Sequence, residues 1–144
     1  MLVLGIASSP TSSGWAVVDV VLDCARMVGA GRVRGSSGEV ISSFSGMLTA
    51  SPASPGPPGL VVVEDVRPSD RAHSQTVGRW LQAFEGLGVE CATVAPGIWQ
   101  AALSPNDADR QTLAARVARA AFGPDVAEPD AACVALWAGR KRSR

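Results

Sequence analysis

The chain has 144 residues, 47% hydrophobic and 18% charged, a composition that supports one packed domain and excludes a disordered polyampholyte. Thirteen Lys and Arg balance thirteen Asp and Glu, which excludes coating of nucleic acid by bulk charge but leaves room for a local basic face. No apolar run reaches the ~20 residues that span a bilayer, and Met1 to Ile6 show neither the basic start nor the long apolar stretch of a secretory signal.

Leu2 to Ile6 reads as a buried strand, followed by a tight turn rich in Ser, Pro and Thr up to Gly14. Trp15 to Val21 and Met27 to Val33 read as two further strands, and the short connections predict an antiparallel meander. Ser36 and Glu39 have capping-box spacing, and Val40, Ile41, Phe44, Met47 and Leu48 recur at helical spacing, so a helix is predicted over Gly38 to Ala50. Ser51 to Gly59 holds four prolines and two glycines and reads as a linker loop.

Leu60-Val61-Val62-Val63-Glu64 is the clearest strand, apolar enough to be covered on both faces. A helix over Ser74 to Leu87 aligns Val77, Trp80, Leu81, Phe84 and Leu87 on one face, a candidate core face or dimer contact. Val89 to Val94 is a fifth strand. Pro96 opens a short helix with Ile98, Trp99 and Leu103. Asp107 or Asp109 caps the next helix, with Leu113, Val117 and Ala121 inward, and Gly123-Pro124 ends it. Pro129 opens the last helix, which runs into a basic tail over 140–144, so residues 1–139 form the single expected domain.

The order is β-β-β-α-β-α-β-α-α. A meander joined to alternating helices and strands predicts an α/β, ribonuclease H-like domain, with a mixed five-stranded sheet and helices on both faces. The three cysteines, Cys24, Cys91 and Cys133, match neither a zinc spacing nor a disulfide framework and point to a reducing compartment. Trp80, Trp99 and Trp137 sit at apolar helical positions and are expected in the core, while Trp15 begins a strand near the candidate site.

Glu64 ends the most buried strand, at the sheet edge where open α/β sheets bind ligands. A carboxylate directly after three valines is costly to desolvate without a partner. Asp130 lies in the first turn of the last helix, where the helix dipole favours negative charge. Carboxylates converging from distant segments suit Mg²⁺ or Mn²⁺. Two such ions about 4 Å apart activate water in phosphodiester hydrolysis. That chemistry normally takes three or four acids, and the first strand should supply one where this chain has Ala7.

Leu4 to Val18, with Gly5-Ile6-Ala7, a Ser/Pro/Thr turn and Gly14-Trp15, resembles the opening of the RuvC family of Holliday-junction resolvases. Val61-Val62-Val63-Glu64 resembles the family's second motif, Ala95-Pro96-Gly97-Ile98-Trp99 with Leu103 a variant of its middle region, and Glu128-Pro129-Asp130-Ala131-Ala132-Cys133 its closing helix. The resemblance implies a metal-dependent endonuclease that nicks four-way DNA junctions, works as a homodimer in the cytoplasm of a bacterial or phage-infected cell, and holds two Mg²⁺ or Mn²⁺ per site on Glu64 and Asp130. Asp125 or Glu128 would serve as the remaining ligand, since the position three before the final aspartate is Ala127. It also places the family's first catalytic aspartate at Ala7. The intact turn around Ala7 points to an engineered inactivating substitution rather than to a natural pseudo-nuclease, and the chain as written is expected to bind junctions and cut them poorly or not at all. The alternatives are a naturally non-cleaving nucleic-acid-binding module of the same fold and a RuvX-like nuclease acting on structured RNA.

Binding a branched duplex also requires cations over phosphates. The candidates are Arg67, Arg71, His73 and Arg79 after Glu64, Arg110, Arg116 and Arg119 on the penultimate helix, and Arg140, Lys141 and Arg142 in the tail. His73 is read as a loop residue rather than a ligand.

Overall fold

The structure is a computed structural model that describes residues 1–22, 24–50, 57–65, 71–105, 109 and 112–143. Its elements are β1 (Leu2–Ser8), β2 (Ser12–Val21), β3 (Cys24–Arg34), α1 (Gly38–Ala50), β4 (Leu60–Glu64), α2 (Arg71–Glu85), β5 (Cys91–Val94), α3 (Pro96–Leu103), α4 (Leu113–Phe122) and α5 (Pro129–Arg142). All three helices predicted after β5 are present, so the order closes on three helices where the shorter string carried two. Among the described residues no helix is long and apolar enough to cross a membrane.

The strands form one sheet in the order β3-β2-β1-β4-β5. The meander β1–β2–β3 is antiparallel, and β4 pairs parallel with both β1 and β5. This is the mixed, ribonuclease H-like sheet expected from the sequence. β4 is central and covered on both sides, so Leu60, Val61, Val62 and Val63 are all almost fully buried.

Side-chain alternation along the strands divides the core into two layers. Leu4, Ile6, Val61 and Val63 face α1 and α2, where they meet Ile41, Val77, Trp80 and Phe84. Val3, Leu60 and Val62 face the other way, toward α3, α4 and α5, and pack with Trp99, Leu113, Ala118 and the alanines of α5. α5 lies unusually close to the sheet. A methyl group on Gly5 would sit 2.2 Å from the Ala131 carbonyl oxygen and 2.7 Å from the Ala135 nitrogen. Glycine at position 5 is therefore what lets the helix backbone rest directly on β1.

Several local expectations change. The residue that caps α1 is Ser37, whose hydroxyl accepts from the Val40 N–H at 3.2 Å, rather than Ser36. The Ser36 carbonyl instead accepts from Arg79 at 2.7 Å. α4 starts after Thr112, whose hydroxyl donates to Asp109 at 2.8 Å, so Asp109 acts through Thr112 rather than as the cap itself. α2 starts at Arg71, three residues earlier than the periodicity suggests, which places His73 in the helix instead of a loop. Trp80 is fully buried and donates to Ser13 Oγ at 2.9 Å, so it packs on the sheet, while Leu87 of the same predicted face is 48% exposed. Residues 140–142, expected as a tail beyond the domain, are the last turn of α5. The linker over 51–56 and the candidate cap Asp107 lie outside the described residues.

Candidate active site and nucleic-acid face

One row of paired residues crosses the sheet and organises the site. Arg32 on β3 pairs with Gly14 on β2, Gly14 with Ala7 on β1, Ala7 with Glu64 on β4, and Glu64 with Val94 on β5. Adjacent strands are ~4.8 Å apart, so Ala7 and Glu64 are immediate neighbours at the carboxyl ends of two parallel strands. Both share the face of Val3 and Val62, on which α5 packs. The contact of Ala131 with Gly5 brings the start of α5 down over this row, and Asp130 is the residue just before Ala131. The three positions singled out in the sequence therefore converge: Ala7 and Glu64 from the sheet, Asp130 from the helix above.

Glu64 is 7% exposed, and its Oε2 accepts from the indole Nε1 of Trp99 at 2.5 Å. Burial raises its pKa from 4.5 to about 7; the Trp99 hydrogen bond opposes the rise and the negative charge of Asp130 adds to it. Asp130 is exposed as a residue, yet partial burial of its carboxyl raises its pKa, the Glu128 carboxylate adds to this, and Arg32 opposes it. The charge of Asp130 thus bears on Glu64, and those of Glu128 and Arg32 bear on Asp130.

Glu128 enters from the residue before α5. Its two oxygens receive Arg32 Nε at 3.0 Å and Nη2 at 2.9 Å, a bidentate pair, while Arg32 Nη1 donates to Ser12 Oγ at 2.7 Å. The carboxylate rests against Gly14, where a methyl group would lie 2.3 Å from Glu128 Oε2. Asp125 is exposed on the turn after α4 and makes no hydrogen bond or ion pair among the described residues, and Ala127 is also exposed.

The donor set does not fit the expected pair of Mg²⁺ or Mn²⁺ ions. Ala7 offers no oxygen, one Glu64 oxygen is held by an indole, and both Glu128 oxygens are held by Arg32. Among the described residues no group of three or more Asp, Glu, His or Cys side chains is arranged to hold a metal ion. Of Glu64, Glu128 and Asp130, what is left for a hard cation is Asp130 and the remaining oxygen of Glu64, fewer donors than two ions require.

The candidate DNA contacts separate by position. Arg71 is exposed at the first residue of α2. Arg119, also exposed, stands in the last turn of α4 and shares a cleft with Pro129, the residue before Asp130. Arg116 is exposed and tied to its own helix start through Thr112 and the Asp109 carbonyl. Arg79 is committed to the Ser36 carbonyl. His73 is 5% exposed and offers no surface to a duplex. Arg140, Lys141 and Arg142 lie ten or more residues beyond Asp130, ~15 Å along α5 and away from the pocket. There Lys141 sits 5.1 Å above the Trp137 ring and Arg142 pairs with Glu90. Arg67 and Arg110 lie outside the described residues.

Sequence reasoning missed Arg32 and treated Trp99 only as core.

No protein-family model matches the chain, and no curated protein sequence does. Solved structures do. RuvC from Thermus thermophilus aligns with a TM-score of 0.79 at 23% identity, over 99% of this chain and 96% of that one. The same protein in complex with a Holliday junction substrate gives 0.80 at 21% identity, over 99% and 97%. The fowlpox virus Holliday junction resolvase gives 0.60 at 12% identity, over 99% and 96%. The chain has the RuvC fold. Within the RuvC fold, the alignment spans the sheet, the helix α5 laid on it and the pocket between them. At these identities the likeness is one of architecture.

Proposed function

We propose that this chain binds four-way DNA junctions and that it is a RuvC-like endonuclease scaffold whose chemistry is interrupted at Ala7. What supports the reading is the convergence of Ala7, Glu64 and Asp130 on one pocket, in a chain that aligns end to end with a RuvC solved on a Holliday junction. In this reading Glu64 and Asp130 are two of the three carboxylates needed. Arg71 and Arg119, both exposed, are the described arginines assigned to phosphates, and two copies meet the two halves of the junction, as the near two-fold symmetry of such DNA favours. Mg²⁺ or Mn²⁺ enters the reading only for a chain with an acid restored at position 7.

The absent third acid favours a second reading, a non-cleaving junction-binding module. One experiment separates the two. A labelled four-way junction is incubated with the parent and with Ala7→Asp, with and without Mg²⁺, beside a linear duplex and a structured RNA. The parent is expected to shift the junction in preference to the duplex without cutting it. Ala7→Asp is expected to nick it only with Mg²⁺, and Ala7→Asp combined with Glu64→Gln to bind without nicking. Binding by an Ala7→Asp variant that never cuts would favour the module. No preference for the junction over the duplex overturns both readings.

A further inference from the structure

We infer that Arg32 is the resident counter-ion of the pocket, holding Glu128 in a closed ion pair that withholds this carboxylate from any divalent cation. The inference deepens the reading of the same pocket and rests on it only for the ligand the pocket serves. It is carried by two observations and one general property of such pairs. The guanidinium meets both Glu128 oxygens and is itself anchored on Ser12 Oγ, so the pair is fixed at both ends. A side-on bidentate pair is the strongest arrangement a carboxylate makes with a side-chain cation, and it uses the oxygens a metal would need. The pair is also seated. Glu128 lies against the bare Cα of Gly14, directly between the Arg32 and Ala7 positions of the cross-sheet row, where any side chain would displace it.

The consequence is a pocket that manages its own charge. With alanine at position 7 and Glu128 neutralised by Arg32, less negative charge faces an incoming phosphate than four independent acids would present. Arg32 remains 46% exposed as a side chain, so the cation stays within reach of solvent and ligand.

The test is Mn²⁺ binding to the whole chain, read from the loss of the free-ion resonance in electron paramagnetic resonance. Arg32→Gln releases Glu128 to join Glu64 and Asp130, and Mn²⁺ affinity is expected to rise at least tenfold over the parent. Adding Glu128→Gln to Arg32→Gln should cancel that gain. Arg32→Lys, which keeps a cation on Glu128, should stay within about threefold of the parent. In the parent background Glu128→Gln alone should leave Mn²⁺ affinity within twofold, because the carboxylate is already withheld. That variant keeps the inference open to refutation even if Arg32→Gln fails to fold. An Arg32→Gln chain with parental near-ultraviolet circular dichroism and unchanged Mn²⁺ affinity overturns the inference, as does a large loss of Mn²⁺ affinity on Glu128→Gln alone. These readings contain no DNA, so failure of the Arg32 role and failure of junction binding appear in separate measurements.

Discussion

The indole of Trp99 reaches Glu64 Oε2 at 2.5 Å, joining the first turns of α3 to the end of the central strand β4. Both side chains are buried, so the bond forms where water does not compete for it. Trp99 is thus a core residue with a polar duty, and it orients the one pocket carboxylate that the sheet supplies.

Trp99→Phe keeps most of the ring and removes the donor. A buried carboxyl oxygen left without its partner costs about 1–3 kcal/mol, and urea denaturation should show a loss of that order. Because the Trp99 bond lowers the Glu64 pKa, the variant should also move carboxyl protonation to higher pH, readable by infrared spectroscopy of the carboxyl band. An unchanged denaturation midpoint would mean that the bond carries no net stability.

Glu64 makes stability depend on pH with a defined sign. Its pKa rises from 4.5 to about 7 on folding, chiefly through burial. Between those values the folded chain holds more protons than the unfolded one, so this contribution is present in full below the lower value and is lost as pH rises toward 7. The span corresponds to at most about 3 kcal/mol. Glu64→Gln keeps an acceptor for Trp99 and carries no charge, so it should raise the melting temperature relative to the parent at pH 8 and much less at pH 5. Equal differences at the two pH values would contradict the assignment.

Gly5→Ala tests how α5 is seated. The added methyl meets backbone atoms of Ala131 and Ala135, which cannot swing aside as a side chain can. The helix must lift, and a loss of about 1–3 kcal/mol is expected from overpacking. In an Ala7→Asp background the same change should lower cutting more than junction binding, because it moves Asp130 relative to Glu64. Cleavage reduced only in proportion to folded protein would make Gly5 a stability residue alone.

Arg119 and Arg142 should behave differently in a salt titration of junction binding. Arg119 is exposed and shares a cleft with Pro129, the residue before Asp130, whereas Arg142 is paired with Glu90 at the far end of α5. Arg119→Gln should weaken binding and reduce the slope of log affinity against log salt by about one phosphate contact. Arg142→Gln should leave the slope unchanged. The reverse pattern would move the DNA path to the other end of the helix.

The architecture was legible because its strongest signals are local. Four apolar residues before Glu64 mark a strand buried on both faces, and the 3.6-residue spacing of Val77, Trp80 and Phe84 marks the inner face of α2. Ala7, Glu64 and Asp130 could be paired because each sits at the boundary of an element, where topology rather than side-chain detail decides proximity. Arg32 was hidden for the opposite reason. Its pocket position follows from the β2–β3 register, and that register slips by one residue between Val17 and Val18, a bulge that alternation alone does not reveal. His73 was misplaced because the turn of helix ahead of Ser74 has no apolar periodicity to announce it.

The pairing of Ala7 with Glu64 is made by backbone atoms on two adjacent parallel strands, so it does not depend on which side chain occupies position 7. Alanine and aspartate codons can differ by a single base. A one-base change can therefore place or remove an acid at that corner while the backbone pairing that positions it stays in place.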